Sequence, residues 1–220
     1  MLRKPVEAVL FDMDGLLIDT ETVYIEAYHA AAETFGVEMS MALCHAMIGS
    51  PRMECDAMIQ EHFGPEFQVD RFQLSFREHA ERLMAQEVPV KPGTRELLAW
   101  LGERGLQLAI ATSSRPTTVE RLLGRAGLLG HFKAIATRYD VERPKPHPDV
   151  YLEAARRLGA TPERCIAFED SNIGLTAAHA AGTMAIMVPD ILPPSDEARA
   201  KCVTIVPDLH AALALLREHL

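Results

Sequence analysis

Four short polar clusters in this chain carry the residue types of phosphoryl transfer. The first is Asp12 with Asp14, two carboxylates on either side of Met13 and followed by Gly15. The second is Thr112-Ser113-Ser114, the third is Lys145, and the fourth is Glu169-Asp170. A carboxylate such as Asp12 can attack phosphorus and form an aspartyl phosphate. A second acid, Asp14, can protonate the leaving oxygen and later take a proton from water. Hydroxyls and backbone amides at Thr112 and Ser113 can hold phosphoryl oxygens, and Lys145 brings positive charge to the phosphate and the nucleophile. Asp170, backed by Glu169, completes an oxygen-rich site for a hard cation, most simply Mg²⁺. Two acids as close as Asp12 and Asp14 repel, and are tolerated if a cation lies between them or one keeps its proton.

Each cluster also has a plainer reading. Asp14-Gly15 can simply reverse the chain. Thr112-Ser113-Ser114 can cap a following helix. Lys145 between prolines can be a solvated loop residue, and Glu169-Asp170-Ser171 can be acids favoured at a helix N-terminus. What ties the clusters together is where they fall. Val6 to Phe11 is an apolar, β-rich run that stops at Asp12, and Leu106 to Ala111 runs into Thr112. Cys165 to Phe168 runs into Glu169. Lys145 sits in the proline-stiffened loop Arg143 to Pro148. In a parallel sheet the carboxyl ends of strands share one edge, so clusters at those ends can converge.

The surrounding elements predict such a sheet. Helical patterns run from about Pro92 to Arg104, Val119 to Ala126, Asp149 to Leu158, Ile173 to Ala181 and Leu209 to His219, several with a Gly just beyond. Further strands are expected at Lys133 to Ala136, Met184 to Val188 and Val203 to Val206. Strands alternating with helices mean an α/β, doubly wound parallel sheet. The first strand breaks that rhythm. A helical pattern from Glu21 to Phe35 places Tyr24, Ala27, Tyr28, Ala31 and Phe35 on one face and stops at Gly36. From Val37 to Glu87 there is no clear strand, only helical stretches broken near Gly49-Ser50-Pro51 and Gly64-Pro65. The domain expectation is therefore core at 1–19, an inserted all-helical cap at 20–88, and core again at 89–220.

Composition bounds the partners. A chain of 220 residues, 48% hydrophobic, can bury a sizeable core. A formal net charge of −9 argues against nucleic acid but not against an anionic substrate met by a metal and a few cations. The cysteines, Cys44, Cys55, Cys165 and Cys202, are scattered and suggest neither a zinc site nor a disulfide framework. No apolar segment approaches bilayer length, so the expectation is a cytoplasmic protein with no membrane contact.

With those residues in view, the chain resembles the haloacid dehalogenase superfamily. Its four motifs are matched by Phe11-Asp12-Met13-Asp14-Gly15-Leu16-Leu17-Ile18-Asp19-Thr20-Glu21, by Ala111 to Ser114, by Lys145 to Tyr151, and by Phe168 to Gly174. The closest resemblance is to β-phosphoglucomutase-like phosphatases with a helical cap. It implies a Rossmann-like core, a mobile four-helix cap, Asp12 as nucleophile and Asp14 as general acid/base. It further implies phosphoryl binding by Thr112 and Lys145, and Mg²⁺ held by Asp12, the Asp14 backbone carbonyl and Asp170, with Glu169 as ligand or support. Gly49-Ser50-Pro51-Arg52 resembles the cap loop whose arginine meets the far end of the substrate; Arg52 is otherwise a solvated arginine.

Within that family the residues favour a hydrolase. Tyr24 stands where the mutase has a histidine, and Thr20 to Val88 contains no lysine to grip a second phosphate or form a Schiff base. Asp14 is present, although dehalogenation does not need it. The expected partner is a small phosphomonoester such as a sugar phosphate, and a monomer is the expected state. The alternatives are a β-phosphoglucomutase-type mutase and a non-catalytic phosphate-sensing or interaction protein.

Overall fold

In chain order the elements are β1 (Ala8–Phe11), α1 (Thr20–Thr34), α2 (Met41–Met47), α3 (Arg52–Phe63), α4 (Val69–Gln86), α5 (Thr94–Glu103), β2 (Gln107–Thr112) and α6 (Pro116–Arg125). There follow β3 (Ala134–Thr137), α7 (Asp149–Leu158), β4 (Cys165–Glu169), α8 (Asn172–Ala180), β5 (Met184–Met187), α9 (Asp196–Lys201), β6 (Thr204–Ile205) and α10 (Leu209–His219). They come from a computed structural model that describes residues 5–48, 50 and 52–220. Two residues of the expected break, Gly49 and Pro51, lie outside the described residues.

Every strand pairing is parallel, in the order β3-β2-β1-β4-β5-β6. The strands are near-continuous apolar runs because both faces of the sheet are covered. One face carries small side chains, Ala8, Ala109, Ala111, Ala136, Ala167 and Ala185, which let α7 and α8 pack close. By strand alternation the other face carries the larger Val9, Phe11, Ile110 and Phe168, with Phe11 stacked on Phe168 at 5.3 Å between ring centroids. β1 is central, flanked by β2 and β4. The winding reverses beside it, at the kind of crevice where open α/β sheets bind ligands.

Residue contacts divide the chain into two compact units, Met1–Ile18 with Val90–Leu220, and Asp19–Pro89. The second unit is wholly helical and has its own core of Ala31, Met39, Cys44, Met47, Ile59 and Phe72. The expected α1 face is the one that packs. Tyr28 stacks on Phe76 of α4 at 3.9 Å, Tyr24 meets Phe76 edge-on, and Ala27 and Ala31 are buried.

Most element ends moved by a residue or two, α6 opens at Pro116, three residues before Val119, and one helix has no counterpart in the sequence reading. α9 is short and buries only Ala198. Its signal lies in its caps: Ser195 accepts from the Ala198 amide, acids fill the first turn and Arg199 and Lys201 the last. Among the described residues no helix is long and apolar enough to cross a membrane.

Candidate active site

Asp12 follows directly on β1, and its amide is held by the Phe168 carbonyl of β4 at 3.1 Å. Gly15, at φ +77°, turns the chain away, and its amide bonds the Ile18 carbonyl at 2.9 Å. No other residue fits there: a Cβ would lie 2.4 Å from Asp170 Oδ2 and 3.2 Å from Asp190 Oδ2. The turn is thus tight because two carboxylates close over it. Asp190 is itself fixed by the Lys91 ammonium at 2.5 Å.

Lys145 reaches in from the loop before α7. Its side chain is only 7% exposed, and Nζ donates to Asp12 Oδ1 at 2.8 Å and Glu169 Oε1 at 2.6 Å. Glu169 is fully buried at the end of β4. Its Oε1 also accepts from the Tyr151 hydroxyl at 2.7 Å, and its Oε2 from the amide and hydroxyl of Ser171 at 3.3 and 3.2 Å. Gly174, in the first turn of α8, lies flat against this carboxylate; any side chain there would overlap it.

Asp14 keeps different company. Its Oδ2 accepts from the Ser114 hydroxyl at 2.8 Å and more weakly from Thr112 Oγ1 at 3.4 Å. Thr112 is buried and its Oγ1 also accepts the Ser114 amide at 3.0 Å. The hydroxyls therefore do not cap α6, whose N-cap is Arg115 and which has no side-chain cap bond. Ser113 is exposed.

Charge in this cluster is unbalanced. One oxygen from each of Asp12, Glu169 and Asp170 lies within 4.8 Å of the others, against a single ammonium. Burial pushes Asp12 up to about 7; Lys145 opposes this, while Glu169 and Asp14 add to it. Burial, Glu169 and Asp12 hold Asp170 well above the usual carboxylate range. Burial works against the charge on Lys145, but Asp12 and Glu169 outweigh it and raise its pKa. Asp170 Oδ1 is buried with no hydrogen-bond partner. An all-oxygen donor set with an orphaned carboxylate oxygen fits a hard divalent cation.

The core unit thus brings together Asp12, Asp14, Thr112, Lys145, Glu169 and Asp170. Arg52 belongs to the helical unit, in the first turn of α3, where it pairs with Asp56 at 3.3 Å and Asp70 at 3.9 Å.

The haloacid dehalogenase-like hydrolase family model matches residues 9–188. The chain belongs to that family. A phosphorylated carbohydrates phosphatase of Thermotoga maritima is 34% identical over 177 residues, 80% of this chain and 82% of that one. The fructose-1-phosphate phosphatase YqaB of Escherichia coli is 30% identical over 82% of this chain and 95% of its own. Among solved structures, that of a candidate β-phosphoglucomutase from Thermotoga maritima superposes with a TM-score of 0.86 at 32% identity, covering 98% of this chain and 100% of that one.

Three residues that shape this hydrolase site were given no role of their own in the sequence reading. Ser114 was indistinguishable from its neighbour Ser113 by type. Gly174 is an ordinary helical glycine until Glu169 is placed beneath it. Tyr151 left a usable signal: a phenol in the otherwise apolar stripe Val150, Ala154, Ala155 and Leu158 of α7 must find a partner when buried.

Proposed function

We propose that the protein is a Mg²⁺-dependent phosphatase of small phosphomonoesters, sugar phosphates foremost, working through an aspartyl phosphate on Asp12. The observation that carries this reading is the separation of two acids two residues apart. Asp12 lies against Lys145 in the crowd of carboxylates, while Asp14 is held apart by Ser114 and Thr112. This separation supports ionised attack by Asp12 and proton transfer by Asp14. The names of the relatives, which act on phosphorylated carbohydrates and fructose 1-phosphate, support the substrate class.

Asp12 attacks phosphorus as the bond to the alcohol oxygen breaks, and Asp14 gives that oxygen its proton. Asp14, now a carboxylate, takes a proton from the water that attacks phosphorus. The bond to Asp12 breaks and inorganic phosphate leaves. Lys145 offsets charge on Asp12 and on the phosphoryl oxygens, and Thr112 and Ser113 provide further donors at the end of β2. Asp12, Asp170 and the Asp14 carbonyl would hold Mg²⁺, with Glu169 beside them. When bound, Mg²⁺ supplies Lewis-acid charge at the phosphoryl oxygens and keeps Asp12 ionised. Arg52 is the candidate for the substrate's far end, where its guanidinium suits a second anion or sugar hydroxyls.

The test is phosphate release from a panel of phosphomonoesters, with and without Mg²⁺. Release that needs Mg²⁺ and disappears in Asp12→Asn is expected. Phosphoryl transfer between sugar positions that outruns release would make the protein a mutase, and binding without turnover would remove the enzymatic reading.

A further inference from the structure

We propose that Tyr151 is a positioning residue of this site: its phenol fixes Glu169 so that Glu169 holds the Lys145 ammonium against Asp12. The kinetic consequence rests on the phosphatase reading; the geometry does not.

An ionised carboxylate has about four acceptor positions, and Glu169 fills them from the protein. Lys145 and Tyr151 take Oε1 at 2.6 and 2.7 Å, and Ser171 takes Oε2 twice at 3.3 and 3.2 Å. The two short bonds are both on Oε1, so the position of that oxygen is set by one ammonium and one phenol. The phenol is the anchored partner. Tyr151 is fully buried in α7, whose amide at this position bonds the Pro148 carbonyl at 3.0 Å. Lys145, by contrast, lies in the loop six residues earlier. The same ring lies under the ammonium, with Nζ 5.1 Å from its centroid, within cation–π range. Tyr151 therefore meets Lys145 twice, once through Glu169 and once through its ring face. Packing alone would be served by Phe; the hydroxyl is what packing does not explain. Glu169, saturated in this way, belongs to the lysine, whereas Asp170 keeps an oxygen with no partner.

Tyr151→Phe removes the hydroxyl and keeps the ring; Tyr151→Leu removes both. The direct readout is the ¹H–¹⁵N signal of the Lys145 ammonium, assigned by its loss in Lys145→Met, and its hydrogen exchange with water. A slowly exchanging signal is expected in the unaltered protein, with exchange about tenfold faster in Tyr151→Phe and faster still in Tyr151→Leu. No slow signal, or exchange unchanged by Tyr151→Phe, overturns the proposal. In kinetics at saturating Mg²⁺, Tyr151→Phe should lower kcat about tenfold or more with little change in KM, the scale seen when a carboxylate's outer partner is removed. The double variant Tyr151→Phe with Glu169→Gln should be no slower than Glu169→Gln alone; fully additive losses overturn the proposal. If no phosphomonoester is hydrolysed, the phosphatase reading fails while the exchange measurement still decides Tyr151. Should Tyr151→Phe fail to fold, Tyr151→Met fills the buried site with an apolar side chain that cannot donate. Exchange at Lys145 should then quicken, and an unchanged rate again overturns the proposal.

Discussion

Asp170→Asn should make the metal-free protein more stable and abolish its stabilisation by Mg²⁺. The site holds three carboxylates with oxygens within 4.8 Å of one another and one ammonium among them. Two unit charges at 4.8 Å repel by about 3.5 kcal/mol at an effective dielectric constant near 20. Asp170 can take up a proton instead, which caps the cost, and Lys145 offsets part of it. A net gain of about 1–2 kcal/mol is expected from the neutral amide. In a protein of this size each kcal/mol moves the thermal midpoint by roughly 2–4 °C. With Mg²⁺ at a hundred times its dissociation constant, the unaltered protein should gain about 2.7 kcal/mol. Asp170→Asn should gain almost nothing, because the orphaned oxygen that completes the donor set has lost its charge. The assay is thermal denaturation with EDTA or with Mg²⁺, and no substrate is needed. A variant less stable than the parent in EDTA, or one that keeps the full Mg²⁺ shift, would refute the electrostatic reasoning.

The metal-free protein should lose stability as pH rises. Asp12 is raised from an ordinary value of 3.8 to about 7, so the folded state binds the proton more tightly than the unfolded chain. Its contribution is complete near pH 4 and gone above about 7, amounting to a few kcal/mol at about 1.4 per pH unit. Glu153 works in the opposite direction, lowered from 4.5 to about 2 first by its hydrogen bond to Arg156, and its contribution is intact above pH 4.5. Urea melts between pH 5 and 7 therefore read Asp12 together with the raised Asp170, clear of Glu153, and saturating Mg²⁺ should flatten the slope. Gly174→Ala should destabilise by about 3 kcal/mol or more, because the new Cβ falls about 2 Å from a buried carboxylate already held by Lys145, Tyr151 and Ser171. Chemical denaturation checks it, and a loss under 1 kcal/mol would mean Glu169 is free to move. Ser114→Ala should slow hydrolysis of alkyl phosphates about tenfold, the value of one hydrogen bond to a charged group, yet barely affect p-nitrophenyl phosphate, whose leaving group needs no proton. Equal losses on both substrates would separate Ser114 from proton transfer.

Much of this site is local and was legible in the chain. An apolar run must end where charge begins, so Asp12, Thr112 and Glu169 declare themselves as strand ends without reference to anything distant. Glycine marks helix stops for the same reason: Gly159 takes up a left-handed conformation directly after Leu158, as its place in the sequence implies. Residue type also bounds what each cluster could do, since a carboxylate, an ammonium and hydroxyls are groups able to share attack, charge and proton transfer.

Tertiary structure alone decided which neighbour of equal type is used and what lies across the sheet. Ser113 and Ser114 are chemically identical, and only the direction in which β2 ends sends Ser114 to Asp14 and leaves Ser113 exposed. Tyr151 and Gly174 matter through Glu169, which is distant from Tyr151 in sequence and close to Gly174 only once α8 is wound. Asp190 and Lys91 are 99 residues apart, yet they pair, and Asp190 lies over Gly15 beside Asp170. Such relations depend on strand order and helix register, which fix distances between residues far apart in the chain. The chain by itself determined the residue types and the edge of the sheet on which they are gathered. Folding decided which oxygen faces which donor, because burial forces every charged group to take the partner that geometry allows.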